Sequence, residues 1–336
     1  MARAFVTGIP GQDGSYLAEA LLDRGWEVHG LAASPPASPP ASPPAGMPSA
    51  SASAQATVHV GDLTDTPCRA GVLEDVRPDV VVNLAGISAV AASWADPVRC
   101  AEVTGLAAVT LLELTWQLQQ RHGIPVRWLQ ASSAEIFGQP NLAAGEAITE
   151  RTSIAPVNPY GAAKAFAHLA TGVYRARGMQ ASTVILFNHE SPRRPHAFVT
   201  RKITATVAAI VAGRADKLVL GNLDAKRDWG YAGDYVRAMW LMMQQESPED
   251  YVVSSGETHS VREACEAAFS HAGLNWEDHV TVDPKFYRPA EVHLLLGDST
   301  KARTRLSWKP EVSFRDLMGM MVDADMELVA RTPPRV

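Results

Sequence analysis

Tyr160 and Lys164 are two residues whose types and spacing allow them to do chemistry together. They stand four positions apart in "NPYGAAKAFAHLATGVYRARG", and that spacing places both side chains on one face of a helix. An ordinary tyrosine, with a pKa of about 10, is a poor base at neutral pH, and a neighbouring ammonium favours its phenolate. The pair predicts proton transfer at Tyr160, although the same spacing also arises by chance on helices that do no chemistry.

A carboxylate follows two serines at the end of a predicted strand. Glu135 lies in "QASSAEIFG", two positions after Ser133. A carboxylate can act as a general acid and base, and a serine hydroxyl can hydrogen-bond a substrate oxygen. On these residues alone, Glu135 can equally be a solvated loop acid and Ser133 a cap at the strand end, so both interpretations stay open.

Three glycines spaced three apart stand between a predicted strand and a predicted helix in "TGIPGQDG". Gly8, Gly11 and Gly14 allow the backbone to turn tightly and approach a pyrophosphate, whose charge the start of the following helix attracts. Asp62 in "VGDLTD" can accept a hydrogen bond from an adenine amino group, or it can be a cap or loop residue. We therefore expect a dinucleotide cofactor at this turn.

Short apolar runs alternate with amphipathic segments along the chain. Runs such as "RAFVT", "TVHV", "DVVVNLAG", "VRWLQAS" and "STVILF" are nearly continuous in apolar character, which is typical of parallel strands covered by helices on both faces. The expected fold class is α/β, a doubly wound parallel sheet. Residues 33–56 contain three S-P-P-A units and no charge, so they predict a flexible Pro/Ser/Ala-rich insertion.

Composition limits the partners that the chain can have. The net charge of −6 over 336 residues argues against nucleic acid and against an anionic membrane as partners. Cys68, Cys100 and Cys265 show no C-x-x-C pattern, which predicts reduced thiols without a zinc site. Because glycines come early in the N-terminal stretch and no apolar run reaches about 18 residues, we expect neither a signal peptide nor a bilayer-spanning segment. We expect a cytoplasmic protein that needs no metal.

The glycine turn together with Tyr160 and Lys164 resembles the extended short-chain dehydrogenase/reductase superfamily. Longer strings are similar to GDP-mannose 4,6-dehydratases from about Arg3 to about Met321, among them "LFNHESPRR", "FVTRKIT", "LGNLDAKRDWGYAGDYV", "FYRPAEVHLLLGD" and "LSWKPEVSFRDL". The resemblance implies a Rossmann-type sheet with a smaller C-terminal α/β substrate-binding domain. It also implies conversion of GDP-mannose to GDP-4-keto-6-deoxymannose with NADP or NAD as cofactor.

The resemblance assigns a role to each candidate catalytic residue. Ser133, which stands where the family has threonine, is expected to hydrogen-bond the 4-oxygen of the hexose. Tyr160 is expected to exchange the proton of that oxygen, while Lys164 holds the nicotinamide ribose and lowers the tyrosine pKa. Glu135 is expected to remove the hydrogen on carbon 5 and to protonate the departing 6-hydroxyl.

The resemblance also implies two binding sets and two domains. The expected cofactor-binding residues are Gly8, Gly11, Gln12, Asp13, Gly14, Asp62, Leu63, Leu84, Ala85, Gly86, Ser88, Tyr160, Lys164, His189 and Arg194. The expected substrate-binding residues are Asn188, Val199, Lys202, Leu220, Asn222, Arg227, Arg288 and Glu291. We expect the cofactor domain at 1–187 with about 228–256, and the sugar-nucleotide domain at 188–227 and 257–336.

Two departures from the family pattern affect the cofactor, the assembly and the substrate. After the second strand the family has an arginine-bearing segment that grips the extra phosphate of NADP and joins subunits into a tetramer, but here no arginine occurs between Arg24 and Arg69. No acidic residue that would favour NAD stands there either. We expect NADP as the cofactor, with NAD as the alternative, and a homodimer as the assembly, with a tetramer as the alternative. Ile87 and Ala89 replace larger polar residues, so a hexose other than mannose also stays open.

Three functions remain compatible with the sequence. The first is the dehydratase acting on GDP-mannose or a related GDP-hexose. The second is a 4-epimerase or reductase on the same scaffold, which needs Tyr160 and Lys164 but has no use for Glu135. The third is a non-catalytic cofactor-binding protein, for which the presence of all four catalytic candidates would have no purpose.

Overall fold

The computed structural model describes residues 1–33, 55–140, 146–286 and 295–331. The predicted flexible insertion at 33–56 lies outside the described residues, except for residue 33 and residues 55–56. Among the described residues, no helix has both the length and the apolar character that crossing a bilayer requires.

Strands are interspersed with helices along the described residues. The strands are β1 (Arg3–Thr7), β2 (Glu27–Ala32), β3 (Thr57–Val60), β4 (Val80–Asn83), β5 (Arg127–Ser133), β6 (Ala181–Leu186), β7 (Asn188–Glu190), β8 (Leu218–Leu220), β9 (Lys226–Arg227), β10 (Trp229–Tyr231), β11 (Asp250–Val253), β12 (His259–Ser260) and β13 (Val280–Val282). The α-helices are α1 (Gln12–Leu22), α2 (Thr66–Val76), α3 (Val90–Ala95), α4 (Pro97–Cys100), α5 (Ala107–His122), α6 (Pro159–Ala176), α7 (Val199–Val211), α8 (Ala232–Met243), α9 (Val261–His271), α10 (Thr300–Leu306) and α11 (Phe314–Arg331). A π-helical turn, Ala101–Leu106, connects α4 to α5, and 3-10 turns occur at Ala134–Phe137, Trp276–Asp278 and Pro284–Phe286.

Seven parallel strands form the central sheet in the order β11-β6-β5-β4-β1-β2-β3. Successive side chains of a strand point to opposite faces, so Ala4 and Val6 of β1 pack in one buried cluster with α1 and α8, whereas Phe5 packs in another with α2 and α5. Both faces are therefore covered, which is why the strands are apolar almost without interruption. The predicted doubly wound α/β fold is confirmed.

A separate hydrophobic cluster lies among α7, α9 and α11 and includes Ile203, Phe269 and Met318. A buried ion pair joins two of these helices, since Arg201 Nε lies 3.0 Å from both carboxylate oxygens of Asp325. This part of the chain has its own core, as expected of a second domain.

Two stretches of the C-terminal half pack with the large sheet. Strand β11 forms its edge, and α8 contributes Tyr235 and Met239 to the same cluster as α1. Leu295 and Trp308 also belong to that cluster, although the sequence analysis assigned 257–336 to the smaller domain. The division into two domains stays a proposal, and we propose it with residues 295–308 moved to the larger one.

Candidate active site

A cavity of about 680 Å³ opens at the carboxyl ends of the central strands. It lies where the strand order reverses, between β1 and β4, which is the usual ligand position in doubly wound sheets. Every residue predicted to be catalytic lines it, namely Ser133, Glu135, Tyr160 and Lys164. Every residue predicted to bind the cofactor lines it as well: Gly8, Gly11, Gln12, Asp13, Gly14, Asp62, Leu63, Leu84, Ala85, Gly86, Ser88, Tyr160, Lys164, His189 and Arg194.

The glycine turn between β1 and α1 is too close-packed for side chains. Gly8 has a φ of +72°, and a Cβ on it would lie 3.0 Å from the backbone nitrogen of Ala85. A Cβ on Gly14 would lie 2.3 Å from the Gly8 carbonyl oxygen. Gly11, in an extended conformation, precedes the first residue of α1. The start of α1 is thereby presented to the cavity with no side chain from these glycines in the way.

Helix α6 carries the tyrosine and the lysine, and both are buried. Pro159 occupies its first turn, and Asn158 caps it by accepting a hydrogen bond from the Gly161 backbone at 2.8 Å, a favourable helix start. Lys164 Nζ donates to the Ala131 carbonyl at 2.8 Å and lies 5.9 Å from the Tyr160 ring centroid. The ammonium is therefore held between the end of β5 and the tyrosine.

A chain of buried polar side chains crosses the strand ends beneath Lys164. Thr7 Oγ1 donates to Asn83 Oδ1 at 2.7 Å, and Asn83 Nδ2 donates to Gln130 Oε1 at 3.0 Å. Gln130 Nε2 donates at 2.8 Å to the same Ala131 carbonyl that accepts from Lys164. Three neighbouring strands thus fix the position of the lysine through satisfied hydrogen bonds.

Burial dominates the proton affinities of the pair. It raises the pKa of Tyr160 above its ordinary value, while a hydrogen bond with Ser133 acts in the opposite direction. Burial also lowers the pKa of Lys164 to about 8, against the attraction of Asp13. Lys164 was expected to lower the tyrosine pKa; in the structure, desolvation of the phenolate has the largest influence on that pKa, and the hydrogen bond with Ser133 is the largest influence in the opposite direction.

Glu135 is held beside this pair by the start of α6. Its backbone N–H donates to Ser133 Oγ at 3.2 Å, and its carboxylate accepts a hydrogen bond from Asn158 Nδ2 at 2.7 Å. Gly161 packs directly on the Glu135 carbonyl, from which a Cβ would lie only 2.4 Å away. The sequence analysis did not single out Asn158; the string "NPY" shows a helix cap but not the second bond that this side chain makes.

The start of α1 is tied to β7 across the cavity. Gln12 Nε2 donates to the His189 carbonyl at 3.0 Å, and Ser191 Oγ donates to Gln12 Oε1 at 2.7 Å. His189 Nε2 lies 2.8 Å from Asp13 Oδ2. Burial alone would lower the pKa of His189 and raise that of Asp13. The attraction between the two side chains outweighs burial, so the pKa of His189 is raised and that of Asp13 is lowered. The two side chains therefore form a charge-stabilised pair.

The residues predicted to bind the substrate fall into three groups. Asn188 and Arg227 line the cavity. Val199, Lys202, Leu220 and Asn222 are not among its described lining residues: Lys202 Nζ donates to the Val219 carbonyl at 2.6 Å and lies 4.6 Å from the Phe286 ring centroid, and Leu220 is buried in the smaller core. Arg288 and Glu291 lie outside the described residues.

Arg99 is a lining residue that the sequence analysis missed. Its NH2 lies 3.2 Å from Asp62 Oδ2, so it stands at the carboxyl ends of β2 and β3. Of the two residues that replace larger polar ones, Ala89 lines the cavity, whereas Ile87 packs beside Tyr160. Within the described part of the chain, no group of three or more histidine, cysteine or acidic side chains is arranged to hold a metal ion.

The chain matches the family model described as GDP-mannose 4,6 dehydratase over residues 5–321. It is 46% identical to GDP-mannose 4,6 dehydratase 1 of Arabidopsis thaliana, over 98% of this chain and 91% of that protein. It is 43% identical to GDP-mannose 4,6 dehydratase of Homo sapiens, over 98% of this chain and 93% of that protein.

A solved structure with the same fold is that of Thermus thermophilus UDP-glucose 4-epimerase in complex with NAD. It superposes with a TM-score of 0.80 at 26% identity and covers 96% of this chain and 98% of its own. The fold is thus shared with sugar-nucleotide enzymes of more than one activity, whereas the sequence match extends over nearly the whole length of the dehydratases. The chain belongs to the GDP-mannose 4,6-dehydratase family.

Proposed function

We propose that this chain is a GDP-mannose 4,6-dehydratase, which converts GDP-mannose to GDP-4-keto-6-deoxymannose with loss of one water. The observation that carries the proposal is the position of Glu135, which lines the same cavity as Ser133, Tyr160 and Lys164 and whose carboxylate is held by Asn158. An epimerase or a reductase needs the other three groups but gains nothing from an anchored carboxylate.

A nicotinamide dinucleotide fits the cavity. The close packing of Gly8 and Gly14 keeps side chains away from the start of α1, where a pyrophosphate would lie. The epimerase of Thermus thermophilus, which shares the fold, was solved with NAD. A bound nicotinamide supplies reversible hydride transfer, and Lys164 is placed to hold its ribose. In this proposal NADP is preferred to NAD.

The first proton transfer belongs to Tyr160. Its phenolate takes the proton of the 4-hydroxyl as carbon 4 is oxidised, while Ser133 hydrogen-bonds the same oxygen. The ammonium of Lys164 stabilises the phenolate electrostatically at this step, because Coulomb interactions are strong in a buried site. Oxidation at carbon 4 leaves a ketone there.

The elimination belongs to Glu135. The ketone acidifies the hydrogen on carbon 5, so the carboxylate can remove it as a proton. The same group, now protonated, donates to the 6-hydroxyl, which departs as water. Return of the hydride would complete carbon 6, a solvent proton would complete carbon 5, and Tyr160 would release to solvent the proton that it took from the 4-hydroxyl. One water leaves, and the cofactor would end in its starting oxidation state.

We also propose where the GDP part of the substrate binds. Asn188 and Arg227 contact the phosphates in this proposal, which is supported by their position in the cavity lining and by the match of a guanidinium to paired phosphate oxygens. The group of Val199, Lys202, Leu220 and Asn222 borders the guanine in this proposal, and Arg288 and Glu291 are proposed to bind the pyrophosphate and ribose. The cavity residue Ala89 leaves room at the hexose, and mannose remains the proposed sugar.

The assembly is a homodimer in this proposal. Exposed apolar side chains occur on α3, α4 and α6 and on the turn between α4 and α5: Trp94, Val98, Leu106, Phe166, Leu169 and Val173. A second copy of the same face would cover them through an isologous interface. Light scattering should give the mass of two protomers, and a mass of four would contradict it. The three cysteines without a pairing pattern support a cytoplasmic location.

Incubation of the purified protein with GDP-mannose tests the function. Separate samples with NADP and with NAD are followed by mass spectrometry of the nucleotide sugar and by absorbance of the reduced cofactor. Loss of one water without net cofactor reduction is the expected result. A product of unchanged mass would favour an epimerase, and net oxidation or reduction of the cofactor would favour a reductase. Absence of any reaction would favour a different GDP-hexose as substrate or a non-catalytic protein.

Glu135→Gln provides the matched variant for this test. It keeps the size of the side chain and removes its ability to act as a base, so we expect water loss to stop while the protein retains its melting temperature. Full elimination by this variant would refute the mechanism even if GDP-mannose is the substrate.

A further inference from the structure

The second strand of this sheet ends without a charged side chain. In dinucleotide-binding folds, an acidic residue near this place binds the ribose hydroxyls of NAD, or a nearby arginine accepts the 2′-phosphate of NADP. Here Leu31, Ala32 and Ala33 line the cavity, and the sequence contains neither lysine nor arginine between Arg24 and Arg69. Residues that directly follow β2 therefore cannot supply the cation.

Arg99 brings a cation to the same place from another element. Strand β3 pairs with β2 to its end, where Val60 faces Ala32, and the Gly61 N–H donates to the Ala32 carbonyl at 2.9 Å. The next residue is Asp62, whose Oδ2 lies 3.2 Å from Arg99 NH2. The guanidinium is therefore adjacent to the end of β2, although it belongs to α4.

The surroundings of Arg99 hold it in position and leave it accessible. Asp96 Oδ1 accepts a hydrogen bond from the Arg99 N–H at 2.9 Å and fixes the backbone of α4. Glu102 Oε2 lies 3.6 Å from NH1, and the side chain is 42% exposed. Ion pairs of such exposure are weak, so a dianionic phosphate can compete with the two carboxylates for the guanidinium.

We propose that Arg99 binds the 2′-phosphate of NADP and makes this chain selective for NADP over NAD. The proposal rests on the dinucleotide site of the proposed function and adds the residue that decides between the two cofactors. The guanidinium of Arg99, on α4, takes the place of the cation that is missing after β2. Asp62 keeps the guanidinium at the rim of the adenosine part of the site until the phosphate arrives.

The test is the affinity for NADP and for NAD, which differ only in the 2′-phosphate, measured by isothermal titration calorimetry. We expect the wild type to bind NADP about 10- to 100-fold more tightly than NAD, as loss of a charge-assisted hydrogen bond predicts. Arg99→Met should remove that difference and change the affinity for NAD by less than about threefold. Arg99→Lys, which keeps the charge but not the planar fork, should retain part of it.

Arg121→Met is the matched control. Arg121 also forms a largely exposed pair with a carboxylate, since its Nη2 lies 3.2 Å from Glu74 Oε2, but it is not among the described residues that line the cavity. This variant should bind both cofactors as the wild type does.

The proposal would be overturned if the wild type bound NADP and NAD with equal affinity, or if it bound neither cofactor. It would also be overturned if Arg99→Met weakened the binding of NADP and NAD equally, or if that substitution had no effect on either. Failure of the proposed function has a different readout, namely that GDP-mannose loses no water whichever cofactor binds.

Discussion

Asn158 joins the start of α6 to the proposed catalytic carboxylate, and its two bonds can be separated by substitution. Its Oδ1 accepts from the Gly161 N–H at 2.8 Å and caps the helix, while its Nδ2 donates to Glu135 Oε2 at 2.7 Å. Asn158→Ala removes both bonds. Asn158→Ser keeps a good helix cap, but the serine hydroxyl ends one bond nearer the backbone and cannot serve both partners.

The two bonds predict different magnitudes. Loss of the cap in Asn158→Ala should cost about 1 kcal/mol of unfolding free energy, which corresponds to a melting temperature lower by about 1 to 3 °C in a chain of this size. Loss of a hydrogen bond to a charged group is worth about 1.5–3 kcal/mol. If that bond orients Glu135 for the elimination, both variants should eliminate water about 10- to 100-fold more slowly.

The assay follows water loss from GDP-mannose by mass spectrometry, together with incorporation of solvent deuterium at carbon 5, which reports the action of the base. Thermal unfolding is measured on the same preparations. The expected pattern is a slow elimination in both variants and a lower melting temperature in Asn158→Ala alone. Elimination at the wild-type rate in Asn158→Ser would show that the bond to Glu135 is not needed and would refute the reasoning.

Three further substitutions or conditions have defined outcomes. Gly14→Ala places a Cβ 2.3 Å from a carbonyl oxygen of its own turn and should abolish dinucleotide binding by calorimetry, whereas Gly71→Ala, with open space on α2, should bind normally and gain up to about 1 kcal/mol of stability. Asp325→Asn leaves the buried Arg201 without its carboxylate and should cost about 3–5 kcal/mol in urea unfolding; a loss below about 1 kcal/mol would contradict this. Because burial lowers the pKa of Lys164 to about 8, its ammonium is lost as the pH rises through that value, so turnover should fall above it, and a rise would contradict the assigned role.

The architecture of the sheet was predictable because local pattern and tertiary role coincide in it. The strands β1, β4 and β6 are buried on both faces and are apolar almost throughout, so each run is visible without knowledge of its neighbours. The spacing of Gly8, Gly11 and Gly14 was likewise visible, since the steric demand falls within a single turn.

Contacts between distant elements were not predictable in the same way. Asn158 lies 23 positions from Glu135, and Arg99 lies 37 positions from Asp62; neither pair forms a motif. The raised pKa of Tyr160 follows from its burial, which depends on how α6 packs against the sheet and not on the spacing to Lys164.

In the proposed mechanism, the hydrogen on carbon 4 moves to carbon 6 of the same substrate, and Glu135 removes the hydrogen on carbon 5. The most direct measurement uses GDP-mannose carrying deuterium on carbon 4, converted in ordinary water with a catalytic amount of NADP and analysed by NMR. We expect to find the deuterium on carbon 6 of the product and solvent hydrogen on carbon 5, and we expect Glu135→Gln to form none of this product. Deuterium that stays on carbon 4, or that accumulates in the cofactor, would contradict it.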